Sequence, residues 1–471
     1  MRTKLIAVLV VAGLAAPVMA DDNTALMAEL RRLADRVEAL EKQNREMEKA
    51  LASERLSENE PELATRVKAV EVEVDAIKGP ATKLGEALDG VKVEGSLTAV
   101  GQSIGAHGTA SGQDESRYNY RGDVTFSLPL GSIGNNEGKF FTHFRLGQGN
   151  GVGLRPTYTS TPNTTAFETA AGPDDSFAIL AQAWYQLRMP LNYGVRKEDA
   201  REHLSFTVGK IDPFVFFDQN SAADDESTKF LNNVFVHNPL LDSGGDIGAD
   251  AHGFQPGALA KYENSAQKGG EWALSLGAFV PDTGANFSGS TRASLVIGQA
   301  EMNTRLNFLP GTWRAYAWTN SRARNYDGIQ RRNTGWGISA DQKVLDDLTL
   351  FGRYGHHTAG HVLFDRAITA GAELEGTRWG RSADSIGLAF GKLRTSNDFR
   401  RDSLTADADG DSVADYGYAA NGSEKQTEVY YRFKLNDAIE LTPNLQWIRD
   451  PGGNNSADAI RVSGVRAKVE F

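Results

Sequence analysis

From about residue 93 to its end the chain alternates apolar and polar positions, in segments of about ten residues divided by glycine, asparagine and aspartate clusters. Val93, Leu97 and Ala99 alternate with Glu94, Ser96 and Thr98; Val124, Phe126, Leu128 and Leu130 form the next apolar face, and Phe140, Phe144 and Leu146 the one after. Val296, Met302, Leu306 and Phe308 share one parity, with Glu301, Asn303, Arg305 and Asn307 on the other. Val429, Tyr431, Phe433 and Leu435 oppose Glu428, Arg432 and Lys434 in the same way. A period of two is a strand with one apolar face. A soluble sandwich would alternate similarly, so the connections decide. Short turns (131–138, 265–270, 309–311, 344–347, 436–437) alternate with long loops (104–116, 149–176, 212–255, 321–332, 395–425). That asymmetry predicts an all-β fold over 91–471: a transmembrane antiparallel barrel of about sixteen strands, with short periplasmic turns and long outer loops.

Ahead of the alternation the period is helical. Leu26, Leu30, Leu33, Val37, Leu40, Asn44, Met47 and Leu51 step by fours and threes, and after a break at 57–61 a second heptad runs through Leu63, Val67, Val70, Val74 and Ile77. Heptads flanked by charge predict a coiled coil within 21–90, in the periplasm, with Asn44 setting register. Arg2 and Lys4, an apolar run from 5 to 16 and Val18-Met19-Ala20 read as a signal peptide over 1–20, and so as export.

One stretch breaks the strand pattern. Leu204, Phe206 and Val208 alternate, but from Pro213 the period is lost for about forty residues, long for a structureless loop. Phe214, Phe216, Phe217, Phe230, Leu231, Phe235, Leu240 and Leu241 are too apolar for disorder. The stretch should fold back on something apolar and present Asp218, Asn220, Asp224, Asp225 and Glu226 to a cavity. Folded into the lumen, its phenylalanines would pack on the wall and its carboxylates would face arginine and lysine across an aqueous gap.

Charge and composition then narrow the chemistry. A formal net charge of −11 disfavours a nucleic-acid partner, and zero cysteines exclude disulfides, thiol nucleophiles and cysteine-ligated metals. No enzyme signature stands out. The glycines of GQGNGVG (147–153) precede no helix and read as a mobile outer loop, and the histidines of HHTAGH (356–361) lie in a loop-like sequence. No cofactor is required. Asp407, Asp409, Asp411 and Asp415 occupy calcium-loop positions 1, 3, 5 and 9, but Gly410 is displaced and Tyr418 stands where the bidentate glutamate belongs, so at most a weak outer-loop calcium site is expected. Lumen-parity charges such as Arg305 and Arg432 are what any water-filled interior carries. Trp184, Gln186 and Arg188 on one strand face are more specific, since a sugar needs both an apolar platform and paired donors and acceptors; Trp318 is a second candidate platform.

GKIDPFVFFDQN, DE, FLNN and FVHNP within 209–239, with LTPNLQWIRDPGG and VSGVRAKVEF near the end, resemble the OprB-like carbohydrate-selective porins of Gram-negative outer membranes, over roughly Val91 to Phe471. The resemblance implies an outer-membrane homotrimer that passes small hydrophilic solutes, sugars among them, with its third outer loop folded into the channel. The apolar alternation closing on Phe471 looks like an outer-membrane assembly signal. Three alternatives stay open at this point: a general or ion-conducting pore, a tether whose coiled coil reaches peptidoglycan or another periplasmic partner, and an outer-membrane hydrolase.

Overall fold

The computed structural model describes residues 90–158, 161–167, 175–191, 199–242, 247, 252–280 and 295–471, with scattered helical positions between 32 and 46. The chain divides into two units, Met1–Val93 and Glu94–Phe471. In the first, the described positions between 32 and 46 are helical and exposed, with Arg45 Nη2 3.8 Å from Glu41 Oε2 one turn earlier. The leader and the heptad positions Leu33, Val37, Leu40 and Asn44 lie outside the described residues.

The second unit is a closed antiparallel barrel of sixteen strands in sequence order. They are β1 (Lys92–Ile104), β2 (Glu115–Ile133), β3 (Asn136–Gln148), β4 (Phe177–Pro190), β5 (Glu202–Ile211), β6 (Gln255–Asn264), β7 (Trp272–Phe279) and β8 (Leu295–Leu306). Then come β9 (Leu309–Arg324), β10 (Gln330–Leu345), β11 (Leu348–Ala359), β12 (Phe364–Glu375), β13 (Ser385–Thr395), β14 (Ser423–Lys434), β15 (Ile439–Arg449) and β16 (Ile460–Glu470). β1 closes on β16 with Ser96 opposite Glu470 and Ile104 opposite Val462, so no edge strand is left unpaired.

Strand parity sorts the side chains. Phe206, Val208, Leu274, Leu276, Trp313, Ile338, Ile368, Leu388, Phe390, Leu445 and Val465 are exposed on the outer wall. Their neighbours Ser205, Thr207, Ser275, Arg314, Ser339, Thr369, Glu428, Asn444 and Arg466 are buried on the inner one. This is the inverse of a soluble protein, and it is what an apolar solvent outside and a polar filling inside select.

One rim carries the turns 134–135, 307–308, 346–347 and 435–438, while the other carries 105–114, 149–176, 212–254, 396–422 and 450–459. The expected long loop 321–332 is absent. The β9–β10 ladder continues to Arg324 opposite Gln330, and the reversal is made by 325–329, with Gly328 at φ 72°. Alternation through Ser321 and Ala323 outweighs the turn-like composition there.

Candidate functional site

The described residues of the loop 212–254 fold into the interior. It leaves β5 through Asp212, whose carboxylate accepts from the Phe214 amide. A short turn over Pro213–Val215 follows. The loop then crosses to the far wall near residue 230 and returns to β6. Its phenylalanines make the molecule's main core: Phe217, Phe230, Phe235 and Phe254 are at most 1 % exposed. Each contributes roughly 2 kcal/mol of burial. The wall makes room for the return limb by glycine. A Cβ on Gly355 would meet Asn238 Oδ1 at 2.6 Å, and one on Gly337 would meet Asn238 Nδ2 at 2.7 Å.

Polar bolts hold the loop at four places. Arg353 on β11 lies 3.2 Å from Asp218 through Nε and donates to the carbonyls of Phe235 (2.7 Å), Ala223 (3.0 Å) and Asp218 (3.2 Å). Glu428 on β14 accepts from the amides of Leu231 (2.7 Å) and Asn232 (3.0 Å). Arg466 on β16 donates to the carbonyls of Lys229 and Glu226, and Gln299 on β8 accepts from the Asp218 amide. Glu428 and Arg466 were missed as site residues, although both stand at lumen parity in the alternation.

The acidic residues expected to line a cavity therefore divide. Asp218 is fully buried at φ 58°, and its carboxylate accepts from Tyr316 Oη and the Asn238 amide, both at 2.6 Å. Asn220 is spent on Ser339 and Ala340. These two anchor the loop and face no open space, because an uncompensated carboxylate or amide there would be costly. Glu226 reaches the β2 wall, accepting from Arg121 at 2.7 Å. Asp225 accepts from the Ser227 amide and hydroxyl and from Thr228; burial would raise its pKa, but Lys468 and these donors outweigh it and hold it low.

Asp224 keeps 27 % of its side chain exposed, between His237 (3.8 Å) and Arg353 (3.9 Å). Burial pushes its carboxyl up to about 7 against the pull of those two cations. Burial works against the His237 imidazolium, yet the hydrogen bond and charge of Asp242, with Asp224 and Asp212, lift it to about 9.

Trp184 and Trp318, at 5 % and 4 % exposure, are packed in the core and offer no free stacking face. Trp184 is stacked on Phe141 at 4.7 Å and edged by Phe216 at 5.8 Å, and those partly open rings flank it instead. They belong to a strip along β3. Arg145 and Lys210 lie 5.2 and 5.8 Å from the Phe254 ring, His143 is next, and Lys139 Nζ stands 5.3 Å over Trp184. Asp123 organises the strip, accepting from Arg145 (2.7 Å), His143 (2.7 Å) and Arg121 (2.9 Å).

Of the other expected lining residues, Gln186 donates to Thr207 and Arg188 lies 3.7 Å from Glu263. Arg432 is 3.7 Å from Glu373, whereas Arg305 is exposed beside the 307–308 turn, away from the loop. A second loop also enters the barrel. Glycines 147–153 open it, and its described residues, 149–158 and 161–167, fold inward: Val152 packs with Ile104, Ile448, Ile460 and Val462, and the Thr164 amide donates to Leu231 of the other loop. The mobile-loop expectation for GQGNGVG thus fails on apolar burial. His356 and His357 alternate on β11 and so face opposite sides of the wall.

In the 396–422 loop, oxygens of Asp407, Asp409 and Asp411 come within 4.8 Å of one another, while Asp415 turns to the Ala408 amide. The same carboxylates already accept local amides, Asp407 from Gly410 and Ser412, Asp411 from Val413.

Against known proteins, the model of the carbohydrate-selective porin, OprB family matches residues 113–471. The chain belongs to that family. A barrel porin of this kind resides in the outer membrane. Porin B of Pseudomonas aeruginosa is 25 % identical over 241 residues, covering 43 % of this chain and 52 % of that protein. The porin thus spans about half the length of this curated relative. The high-pH structure of Pseudomonas putida OprB superimposes with a TM-score of 0.63 at 18 % identity, covering 82 % of this chain and 96 % of that one, a likeness of fold.

Proposed function

We propose that this porin is a passive, non-enzymatic channel for small hydrophilic solutes, sugars foremost. Its domains would be a leader over 1–20, a periplasmic helical segment over 21–90 and the barrel over 91–471. The short-turn rim would face the periplasm, and the assembly would be a homotrimer. The observation that carries this reading is the loop 212–254, bolted across the lumen beside a strip that alternates aromatic faces with Lys139, His143, Arg145 and Lys210. A sugar presents C–H faces and hydroxyls together, and such a strip meets both.

Planar-bilayer conductance with sugars and anions as blockers tests it. Sugar block that weakens when Phe141 and Lys139 are replaced by alanine is the expected result. Deleting 221–229 should raise single-channel conductance; wild-type conductance and selectivity in that deletion would place the loop outside the conducting path. Block by anions alone would favour an ion-conducting pore, a reading supported by the cationic side of the strip. A tether to peptidoglycan through 21–90 would show as loss of envelope integrity, with conductance kept, on deleting 22–78.

A further inference from the structure

On the outer wall of β12–β16, at the long-loop rim, the apolar parity ends in a row of cations. On β13 the outward face runs Leu388, Phe390, then Lys392 and Arg394; on β12 Ile368 gives way to Arg366; on β14 and β15 it reaches Lys425 and Arg449. The register sets like charges directly opposite one another: Arg366 faces Arg394, Lys392 faces Lys425, and Lys425 faces Arg449. Directly opposed like charges destabilise a sheet. Among the described residues, Arg366, Lys392, Arg394, Arg400 and Arg449 have no carboxylate within ion-pair distance, and Lys425 alone has one, Asp450 at 2.7 Å. The row borders a cleft of about 390 Å³ lined by Lys392, Arg394, Arg400 and Lys425 with that single acid, and by Asn421 and Asn455 as further polar groups.

We infer that this cleft binds the phosphate-bearing headgroup of a membrane lipid, whose acyl chains lie down the wall on Ile368, Leu388 and Phe390. A phosphate between facing cations would relieve their repulsion through charge-assisted hydrogen bonds, and the apolar strip below continues where the chains must go. That continuity selects a lipid over a free anion: all three apolar side chains are more than a third exposed and share outward parity with the cations above them. The inference rests on the porin reading only in that the barrel must sit in a bilayer.

The test uses the full chain in detergent, probed with phosphatidic acid, with phosphatidylcholine and with inorganic phosphate, bound lipid being counted by native mass spectrometry. Wild type should retain phosphatidic acid over phosphatidylcholine, unaffected by inorganic phosphate at equal concentration. Lys392→Gln/Arg394→Gln/Lys425→Gln should weaken that retention on the order of a hundredfold. Lys392→Arg/Lys425→Arg should keep it. Should the triple variant fail to assemble, Arg394→Gln alone should still weaken retention several-fold. Unchanged retention in the variants overturns the site. Displacement by inorganic phosphate makes it a free-anion site instead, and cross-linking between Lys392 residues of two copies makes it a subunit contact. Bilayer conductance of the triple variant, expected at the wild-type level, separates failure here from failure of the channel reading.

Discussion

Two long loops rise from the same rim and both are rich in aspartate, yet they do opposite things with it. In 212–254 the acids are drawn inside. Asp218 is fully buried against Arg353 and Tyr316, and Asp225 is locked by Ser227 and Thr228. In 396–422 the tip carrying Asp407, Asp409 and Asp411 is left mostly to solvent, its carboxylates capping amides of their own turn. The difference lies in the apolar residues between the acids. The first loop has phenylalanines at 214, 216, 217, 230 and 235, so water cannot hold it, and the charges carried in must find partners on the wall or within the loop itself. The second buries its aromatic residues at its base, with Phe399 packed against Tyr158, Tyr326 and Tyr416, and its tip contains only small and acidic residues.

The sharpest way to break that contrast is to remove a bolt from the packed loop. Arg353→Met leaves Asp218 as an uncompensated buried charge and frees the carbonyls of Ala223 and Phe235. We expect a loss of about 3–5 kcal/mol in the anchoring of the loop. It should be read as a lowered unfolding midpoint in detergent and as higher, noisier single-channel conductance. Adding Asp218→Asn should recover part of the loss, because the two groups are coupled. The corresponding change in the exposed loop, Asp409→Asn, should move neither quantity measurably.

A smaller effect is expected from protons. Asp224 titrates near 7, above its ordinary 3.8. The loop's anchoring is therefore favoured while it is protonated and declines as pH climbs from about 4 through about 7. His237, raised to about 9, adds anchoring that is complete below about 6.5 and is lost as pH passes 9. Both act in one direction. Conductance should rise in two steps with increasing pH, and cation preference should grow at the first. Asp224→Asn should erase the first step and leave the second. A bilayer pH series with reversal potentials would show it, and a flat profile would mean that the pair does not control the loop.

Strand count, closure and the inward course of the long loop were legible because each rests on parity or on the clash between aromatic content and loop sequence. The roles of individual acids were not. Asp218 and Asp224 are six residues apart on one loop, and only the fold decides that one meets Arg353 squarely while the other stands off at 3.9 Å. Trp184 looked like a free platform because parity places it in the lumen; that Phe141 and Phe216 cover it is a long-range fact. The inward fold of 149–158 was hidden by its glycines, whose flexibility says nothing of Val152 packing on Ile460. The cationic row on the outer wall depends on register between strands, which period alone does not set.

The smallest effect belongs to the acidic tip. Oxygens of Asp407, Asp409 and Asp411 lie within 4.8 Å of one another, close enough to share a cation, but Asp415 is engaged with Ala408 and no bidentate glutamate follows. Three carboxylates at the surface repel one another in water only modestly, so little is released when a cation arrives. Their local amides stabilise the turn without one; those donors hold Asp407 below the ordinary carboxylate range despite some desolvation. Calcium titrated into the protein should therefore give heat only at ~10⁻⁴–10⁻³ M, the range of weak extracellular sites. Asp407→Asn/Asp411→Asn should abolish that heat while conductance stays unchanged. Heat at micromolar calcium would mean that the tip rearranges to recruit Asp415, and the comparison between a packed acidic loop and a merely solvated one would then have to be redrawn.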